Sequence, residues 1–264
     1  MEFTAQALAH YVILGIFALV VPAGAVIFWK ARHKDAPLSA AFTGAGAFFL
    51  FVCVLESLLH RVMIPLVQGN TVALVIYGAL AAGVFEETAR FIAFKTILRK
   101  KTAPETSVMY GLGHGGFEVL FIFGTTVISA LSIAIMCDAM GTEAFVEMTA
   151  NGSEEVKAAA LAQIEYYANV TLATTPLALI ERIVAMTLHT ALSVVVFEGA
   201  HGKGRLWLYP AAVLVHAAVD VPAVLCQQAV IPIWMSEVLA AVISAAAAIW
   251  AWRLYKSMKQ RVAA

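Results

Sequence analysis

The composition of this chain is that of a membrane protein. Its 264 residues are 62% hydrophobic and 13% charged, about half the charged fraction of an ordinary soluble domain. Most of its apolar surface must therefore face lipid, which excludes a soluble globular domain. The formal net charge is zero, so there is no basic excess to attract nucleic acid, and we expect no such partner.

Seven apolar segments are long enough to cross a membrane, since about 20 helical residues span its hydrocarbon core. In chain order they cover approximately residues 7–29, 38–65, 71–94, 107–138, 170–199, 206–228 and 232–252. No basic segment precedes the first one and no small-residue cleavage site follows it, so we interpret it as a retained helix. We predict an all-α, polytopic transmembrane bundle that forms one domain over residues 1–264, in a prokaryotic plasma membrane.

The positive charges predict the orientation of the bundle. Thirteen of the 17 lysines and arginines fall in one set of loops and in the C-terminal segment: Lys30, Arg32, Lys34, Lys95, Arg99, Lys100, Lys101, Lys203, Arg205, Arg253, Lys256, Lys259 and Arg261. Cytoplasmic loops carry such an excess, so we expect the N-terminus outside and the C-terminus in the cytoplasm. The long acidic connector, about residues 139–169, then lies outside, and its helix-forming residues from Glu154 to Ala168 predict a surface helix.

Ionisable residues inside the predicted helices are costly in lipid and therefore suggest function. Helices three to six carry them: Glu86, Glu87 and Arg90; His114 and Glu118; Glu181 and His189; His216 and Asp220. The pairs Glu86/Arg90, His114/Glu118 and His216/Asp220 are four residues apart, and Glu181 and His189 are eight apart, so each pair shares a helical face. At 1.5 Å per residue, the helix ends place five of these residues, Glu86, His114, Glu118, His189 and His216, roughly 10–16 Å below the cytoplasmic surface. The four helices, within a core of about residues 71–228, are therefore expected to surround one polar cavity in the cytoplasmic half.

Glycines cluster at the start of the fourth helix, in the run Gly111–Gly116. A helix rich in glycine is weakened, but it also lets another backbone approach closely. The run fits either a small-residue packing seam between helices or a local unwinding where substrate could enter.

The cavity residues suit peptide hydrolysis by an activated water. Glu86 or Glu87 could act as the general base, and His114 and His216 could orient the water or stabilise the oxyanion. Asp220 could orient the ring of His216. As supporting residues we also expect Arg90, Glu118, Glu181 and His189.

A metal centre is the alternative chemistry. His114, His189 and His216, together with Glu86 or Glu118, could form a zinc site. The histidines lie on three different helices and no HExxH motif is present, so spacing favours a centre that requires no cofactor, with Zn²⁺ as the alternative.

Three motifs resemble the CPBP/PrsW superfamily of intramembrane proteases, which includes the type II CaaX prenyl endopeptidases. Glu86-Glu87-x-x-Arg90 is similar to its first motif, Tyr110-x-x-x-His114 to its second and His216-x-x-x-Asp220 to its third. The sequence GHGGxE at 113–118, followed by Glu181-Arg182 and His189, looks like the YhfC branch. Arginine follows the second glutamate by three residues, where the CaaX branch has four, and Tyr110 stands where phenylalanine is usual.

The resemblance implies a glutamate-dependent endopeptidase that acts on transmembrane or membrane-associated polypeptides. It also implies that Glu86 and Glu87 activate water with help from His114 and His216. The YhfC branch is described as metalloprotease-like, so the resemblance leaves the metal open. A proton- or metal-coupled transporter, or a non-catalytic scaffold or immunity-type protein, are the alternative functions, since buried Glu, His and Asp also form ion pathways.

Overall fold

The computed structural model describes residues 2–263, which contain helices and no strand. The α-helices are α1 (Ala5–Arg32), α2 (Leu38–Phe48), α3 (Ser57–Val67), α4 (Thr71–Lys95), α5 (Glu105–Met140), α6 (Thr142–Ala150), α7 (Glu154–Asn169), α8 (Thr175–His201), α9 (Leu208–Gln227) and α10 (Ile233–Ala263). A π-helix (Phe49–Glu56) joins α2 to α3, and one 3₁₀ turn (Leu172–Thr174) precedes α8.

The predicted fold class is confirmed. Within residues 2–263, seven helical spans are long and apolar enough to cross a membrane, and each corresponds to one predicted segment. The last span is longer than predicted, because α10 continues from 252 to Ala263. Its final turns are rich in lysine and arginine, which end the apolar pattern but form helix readily. This chain is therefore a multi-pass helical membrane protein.

The described chain divides into two compact units. The first comprises residues up to Val21 together with Val119–Ile180, and the second comprises Pro22–Glu118 together with residues from Glu181 onwards. All residues of the predicted site belong to the second unit.

The first unit contains the acidic connector. Its predicted surface helix is present as α7, and α6 is an additional short helix that sequence analysis did not predict. The two helices pack through Val146 and Ile164, which are 1% exposed. Their exposed faces are joined by an ion pair between Glu147 and Lys157. The connector therefore has a small apolar core of its own.

The second unit is organised around α8. From Leu188 to Ala200 almost every residue of this helix is buried. Its apolar side chains pack in a core with α2, α4, α5, α9 and α10, in which Phe94, Tyr110 and Phe197 are at most 2% exposed. A helix that is apolar on all sides belongs in the interior of a bundle, so α8 forms the centre of this unit.

Glycines bring α5 unusually close to α2. A Cβ atom at Gly44 would lie 2.3 Å from the carbonyl oxygen of Tyr110, and one at Gly113 would lie 2.0 Å from that of Ala41. Neither distance is compatible with a side chain, so the two backbones are in direct contact. Because α5 continues through the glycine run without a break, the structure shows the packing seam and no local unwinding.

Candidate active site

Two adjacent glutamates on α4, Glu86 and Glu87, lie at the centre of the site. Glu86 is 6% exposed and Glu87 is fully buried. Neighbouring positions on a helix point in directions about 100° apart, so the two carboxylates meet different partners. The side chain of Asn70 accepts a hydrogen bond from the N–H of Ala73 at 3.1 Å and caps the start of α4.

Three imidazoles from three other helices surround the carboxylate of Glu86. His114 Nε2 lies 2.9 Å from Oε2 and His189 Nδ1 lies 3.4 Å from the same oxygen. His216 Nε2 lies 3.6 Å from Oε1. The structure therefore brings together, around one carboxylate, the histidines of α5, α8 and α9 that sequence analysis assigned to a common cavity.

Glu87 meets His216 through the ring nitrogen that does not face Glu86, and it holds other groups in place. It accepts a hydrogen bond from His216 Nδ1 at 2.6 Å and forms an ion pair with the fully buried Arg90. Arg90 also contacts Glu86 Oε2 at 3.5 Å and donates to His189 Nδ1 at 2.5 Å. A guanidinium has only donors, so His189 Nδ1 is an acceptor in this arrangement. The closest partner of Arg90 is thus Glu87, and Glu86 is a second, more distant partner.

A second group of charges lies on the other side of His189. Glu118 on α5 pairs with His189 Nε2 and accepts from Arg182 at 2.8 Å. Arg182 also pairs with its neighbour Glu181, which is half-buried at the edge of the site. Asp220 Oδ2 lies 3.5 Å from His216 Nε2. All the supporting residues expected from the sequence therefore lie in this network, with Glu181 and Asp220 at its more exposed side.

Aromatic rings close one side of the site. Phe48 packs edge-on against His114, with 5.2 Å between ring centroids, and Tyr110 stacks on it at 5.9 Å. Both rings are buried. They exclude lipid and water from His114, and they give Tyr110 of the second motif a packing role.

The donor set fits a divalent metal in type and proximity. Glu86, His114 and His189 each offer a ligand atom, and these atoms lie within 4.8 Å of one another. Imidazole and carboxylate are the usual ligands of catalytic zinc. The Glu87–His216 contact is the kind of outer hydrogen bond that orients a metal-binding imidazole. One feature opposes a cation here, because the guanidinium of Arg90 is directed at His189 Nδ1.

Sequence analysis missed the contribution of α10. Ser236, Glu237 and Ser244 line a cavity that also reaches Glu86 and His216. The available signal was a pair of serines eight positions apart, Ser236 and Ser244, with the small Ala240 midway between them and Glu237 beside the first. Small residues at such spacing are also typical of helix packing, so the pattern alone does not indicate a cavity.

Comparisons with known proteins identify the family of this chain. The YhfC intramembrane metalloprotease family model matches residues 17–240. A membrane protein of Bacillus subtilis (strain 168), described as the uncharacterized membrane protein YhfC, is 29% identical over 252 residues, which are 93% of this chain and 95% of that protein. No solved structure matches the chain. By the extent of the family match, and as the motifs around Glu86, His114 and His216 predicted, this chain belongs to the YhfC intramembrane metalloprotease family.

Proposed function

We propose that this protein is an endopeptidase that hydrolyses a peptide bond of a membrane-embedded polypeptide, with a water molecule activated at Glu86. The observation that carries the proposal is the convergence of His114, His189 and His216 on the carboxylate of Glu86. A buried carboxylate surrounded by imidazoles from separate helices has the groups that hydrolysis of an amide requires. Membership of an intramembrane metalloprotease family supports the same reaction class.

The proposed reaction uses Glu86 twice. Its carboxylate takes a proton from the water as the oxygen attacks the scissile carbonyl, and it later delivers that proton to the leaving amine. His114 and His216 lie beside different oxygens of Glu86, so both can reach a water held there. In their N–H forms they can also donate to the carbonyl oxygen as negative charge develops on it.

The remaining charged residues act by positioning. Glu87 holds His216 through Nδ1, and Arg90 links Glu87 to His189. Glu118 orients the opposite nitrogen of His189 and is itself held by Arg182. These contacts fix the orientations of the His189 and His216 rings.

A zinc ion would be held by His114 and His189 with Glu86, and His216 is the nearest further imidazole. A metal bound there would polarise the scissile carbonyl and acidify a bound water. The described site has more carboxylates than arginines, which favours a cation: Glu86, Glu87, Glu118, Glu181 and Asp220 face Arg90 and Arg182. The two chemistries give Glu86 different roles, proton acceptor or ligand, and can therefore be separated by experiment.

The reaction is proposed to take place in the cytoplasmic half of the membrane. Glu86 lies nine residues before the end of α4, and His114 lies nine residues after the start of α5. At 1.5 Å per residue, both are about 14 Å from the helix ends that join the basic loop 96–104. The positive-inside rule assigns that loop to the cytoplasm.

The test combines zinc content and cleavage on the same purified samples. Wild type, Glu86→Gln and Glu105→Gln are purified in detergent and incubated with a library of transmembrane peptides, and products are identified by mass spectrometry. Glu105 is a matched control, since it is a buried carboxylate of a membrane helix that pairs with Lys259 away from the site. We expect cleavage by wild type and by Glu105→Gln, and none by Glu86→Gln.

The zinc measurement then decides the chemistry. Active wild type without stoichiometric zinc supports water activated by glutamate. Stoichiometric zinc that is lost in Glu86→Gln supports the metalloprotease reading. Unchanged cleavage by Glu86→Gln, or no cleavage by folded wild type, would refute the proposal.

A further inference from the structure

A small cavity extends from the Glu86 centre toward α10. Its volume is about 170 Å³, and its walls come from α4, α5, α8, α9 and α10. Glu86 and His216 lie at its buried end, while Glu181 and Glu237 are half-buried and lie where it opens. The cavity therefore leads from the surface of the second unit to the proposed reacting groups.

One face of α10 forms the far wall. Ser236, Ala240 and Ser244 are spaced four residues apart, so they lie on one helical face over about 12 Å. Their small side chains leave room that larger residues at these positions would fill. This face of α10 is therefore formed by small residues, two of which carry hydroxyl groups. The neighbouring face, with Val238 and Leu239, is apolar and exposed to lipid.

Ser244 is an unusual residue in this wall. It is 2% exposed, and its hydroxyl has no hydrogen-bond partner among the described residues. The buried Ser193, by contrast, donates to the carbonyl of His189 in its own helix at 2.7 Å. A buried hydroxyl without a partner is costly, and this one lines a cavity that a ligand can enter.

The open end of the cavity is acidic. Glu237 forms no ion pair or hydrogen bond within residues 2–263, although it lies on a membrane-spanning helix. The nearby Arg182 is already paired with Glu118 and Glu181. Glu237 lies four residues after the start of α10 and is half-buried, so its carboxylate is available to a cationic group that enters the cavity.

We propose that this cavity is the subsite for a basic side chain of the polypeptide substrate, next to the bond that is cleaved, and that Glu237 recognises its charge. This inference rests on the proposed function. The volume restricts the occupant, since drug-sized ligands need at least about 300 Å³ and a cavity of about 150 Å³ holds one benzene ring. One lysine or arginine side chain with its water fits, and Ser236 and Ser244 offer hydroxyl groups along its path.

The test measures the charge preference of the cavity without requiring proteolysis. Cys53, Cys137 and Cys226 are replaced by alanine, and a single cysteine is introduced as Ala240→Cys in the cavity wall. The purified protein in detergent reacts with a cationic and with an anionic methanethiosulfonate reagent. An exposed site on α7, Ala162→Cys, lies in the acidic connector outside the cavity and gives the reference ratio of the two rates.

We expect the cationic reagent to be preferred at Ala240→Cys about tenfold over the ratio at Ala162→Cys, which corresponds to about 1.4 kcal/mol. Glu237→Gln should remove most of this preference, because it removes the charge and keeps the shape. Transmembrane model peptides then compete with the reagent. In the Ala240→Cys protein that retains Glu237, a peptide with one lysine should slow the labelling at least fivefold. The same peptide with methionine in place of that lysine should not slow it.

Three outcomes would overturn the inference. Equal rates for both reagents would show that the cavity has no charge preference, and a preference unchanged by Glu237→Gln would assign it to another group. A preference without protection by the lysine peptide would indicate a path for water or ions instead of a substrate subsite. None of these readings depends on catalysis, so a failure of the protease proposal remains distinguishable.

Discussion

The contact between α2 and α5 makes a sharp prediction for Gly44→Ala. The added methyl would lie 2.3 Å from the carbonyl oxygen of Tyr110 and 2.8 Å from the backbone nitrogen of His114. Carbon–oxygen contacts are normally about 3.3–3.6 Å, so the helices must separate by roughly 1 Å. Both atoms belong to backbone, which cannot rotate away as a side chain could.

The expected cost follows from two opposing effects. Replacing glycine by alanine within a helix gains up to about 1 kcal/mol, whereas overpacking a close contact costs about 1–3 kcal/mol and occasionally more. Gly44→Ala should therefore lower the free energy of unfolding by about 1–2 kcal/mol. The same shift would displace His114 relative to Glu86, now 2.9 Å apart, and a displacement of 1 Å can cost about 100-fold in rate.

Gly46→Ala is the matched control, two residues along the same helix. A Cβ atom there meets nothing within 4 Å, and the residue is exposed. It should be neutral or slightly stabilising, with unchanged cleavage. Thermal unfolding in detergent and cleavage of a transmembrane peptide measure both variants. If Gly44→Ala matched Gly46→Ala in both assays, the close contact could not be what positions His114.

Three further predictions concern the charge network and the orientation. Arg90→Met leaves two buried carboxylates without their cation and should destabilise the protein by about 3–5 kcal/mol, seen as a large drop in melting temperature; an unchanged melting temperature would contradict the buried pairing. Glu87→Gln should lower cleavage about 10–100-fold while Glu86→Gln abolishes it, because Glu87 acts through His216; equal losses in the two variants would argue against separate roles. In intact cells, an impermeant thiol reagent should label Glu154→Cys but not Lys100→Cys, and the reverse result would invert the predicted orientation.

The sequence was sufficient for the seven membrane spans, and it pointed to the residues that the structure brings together around Glu86. Hydropathy indicates directly which segments are in contact with lipid. Ionisable residues four apart identify the helix face that must be kept away from lipid. The partner of Arg90 was not predictable in this way. Glu86 and Glu87 are both within its reach along the helix, and the choice depends on His189, which approaches from α8. Contacts between helices depend on how the helices pack, and the spacing of residues within one helix does not predict them.

The role of α10 was hidden for a related reason. Ser236 and Ser244 have the pattern of a helix-packing face, and Glu237 resembles a charge that favours the start of a helix. The cavity becomes apparent only when α8 and α9 are placed against this face of α10, because the side chains of the three helices do not fill the space between them. The end of α10 was also missed, because hydropathy marks where lipid contact stops and not where a helix stops.

The two glutamates of the first motif have different surroundings, and this difference explains why we propose different roles for them. Glu87 is fully buried, is held by Arg90 and His216, and does not line the cavity. Glu86 does line it, and its oxygens face imidazoles at 2.9–3.6 Å. A water or a peptide carbonyl in the cavity can therefore reach Glu86 and cannot reach Glu87. Adjacent residues on one helix thus supply a reacting group and its support, because a rotation of about 100° separates an accessible face from a closed one.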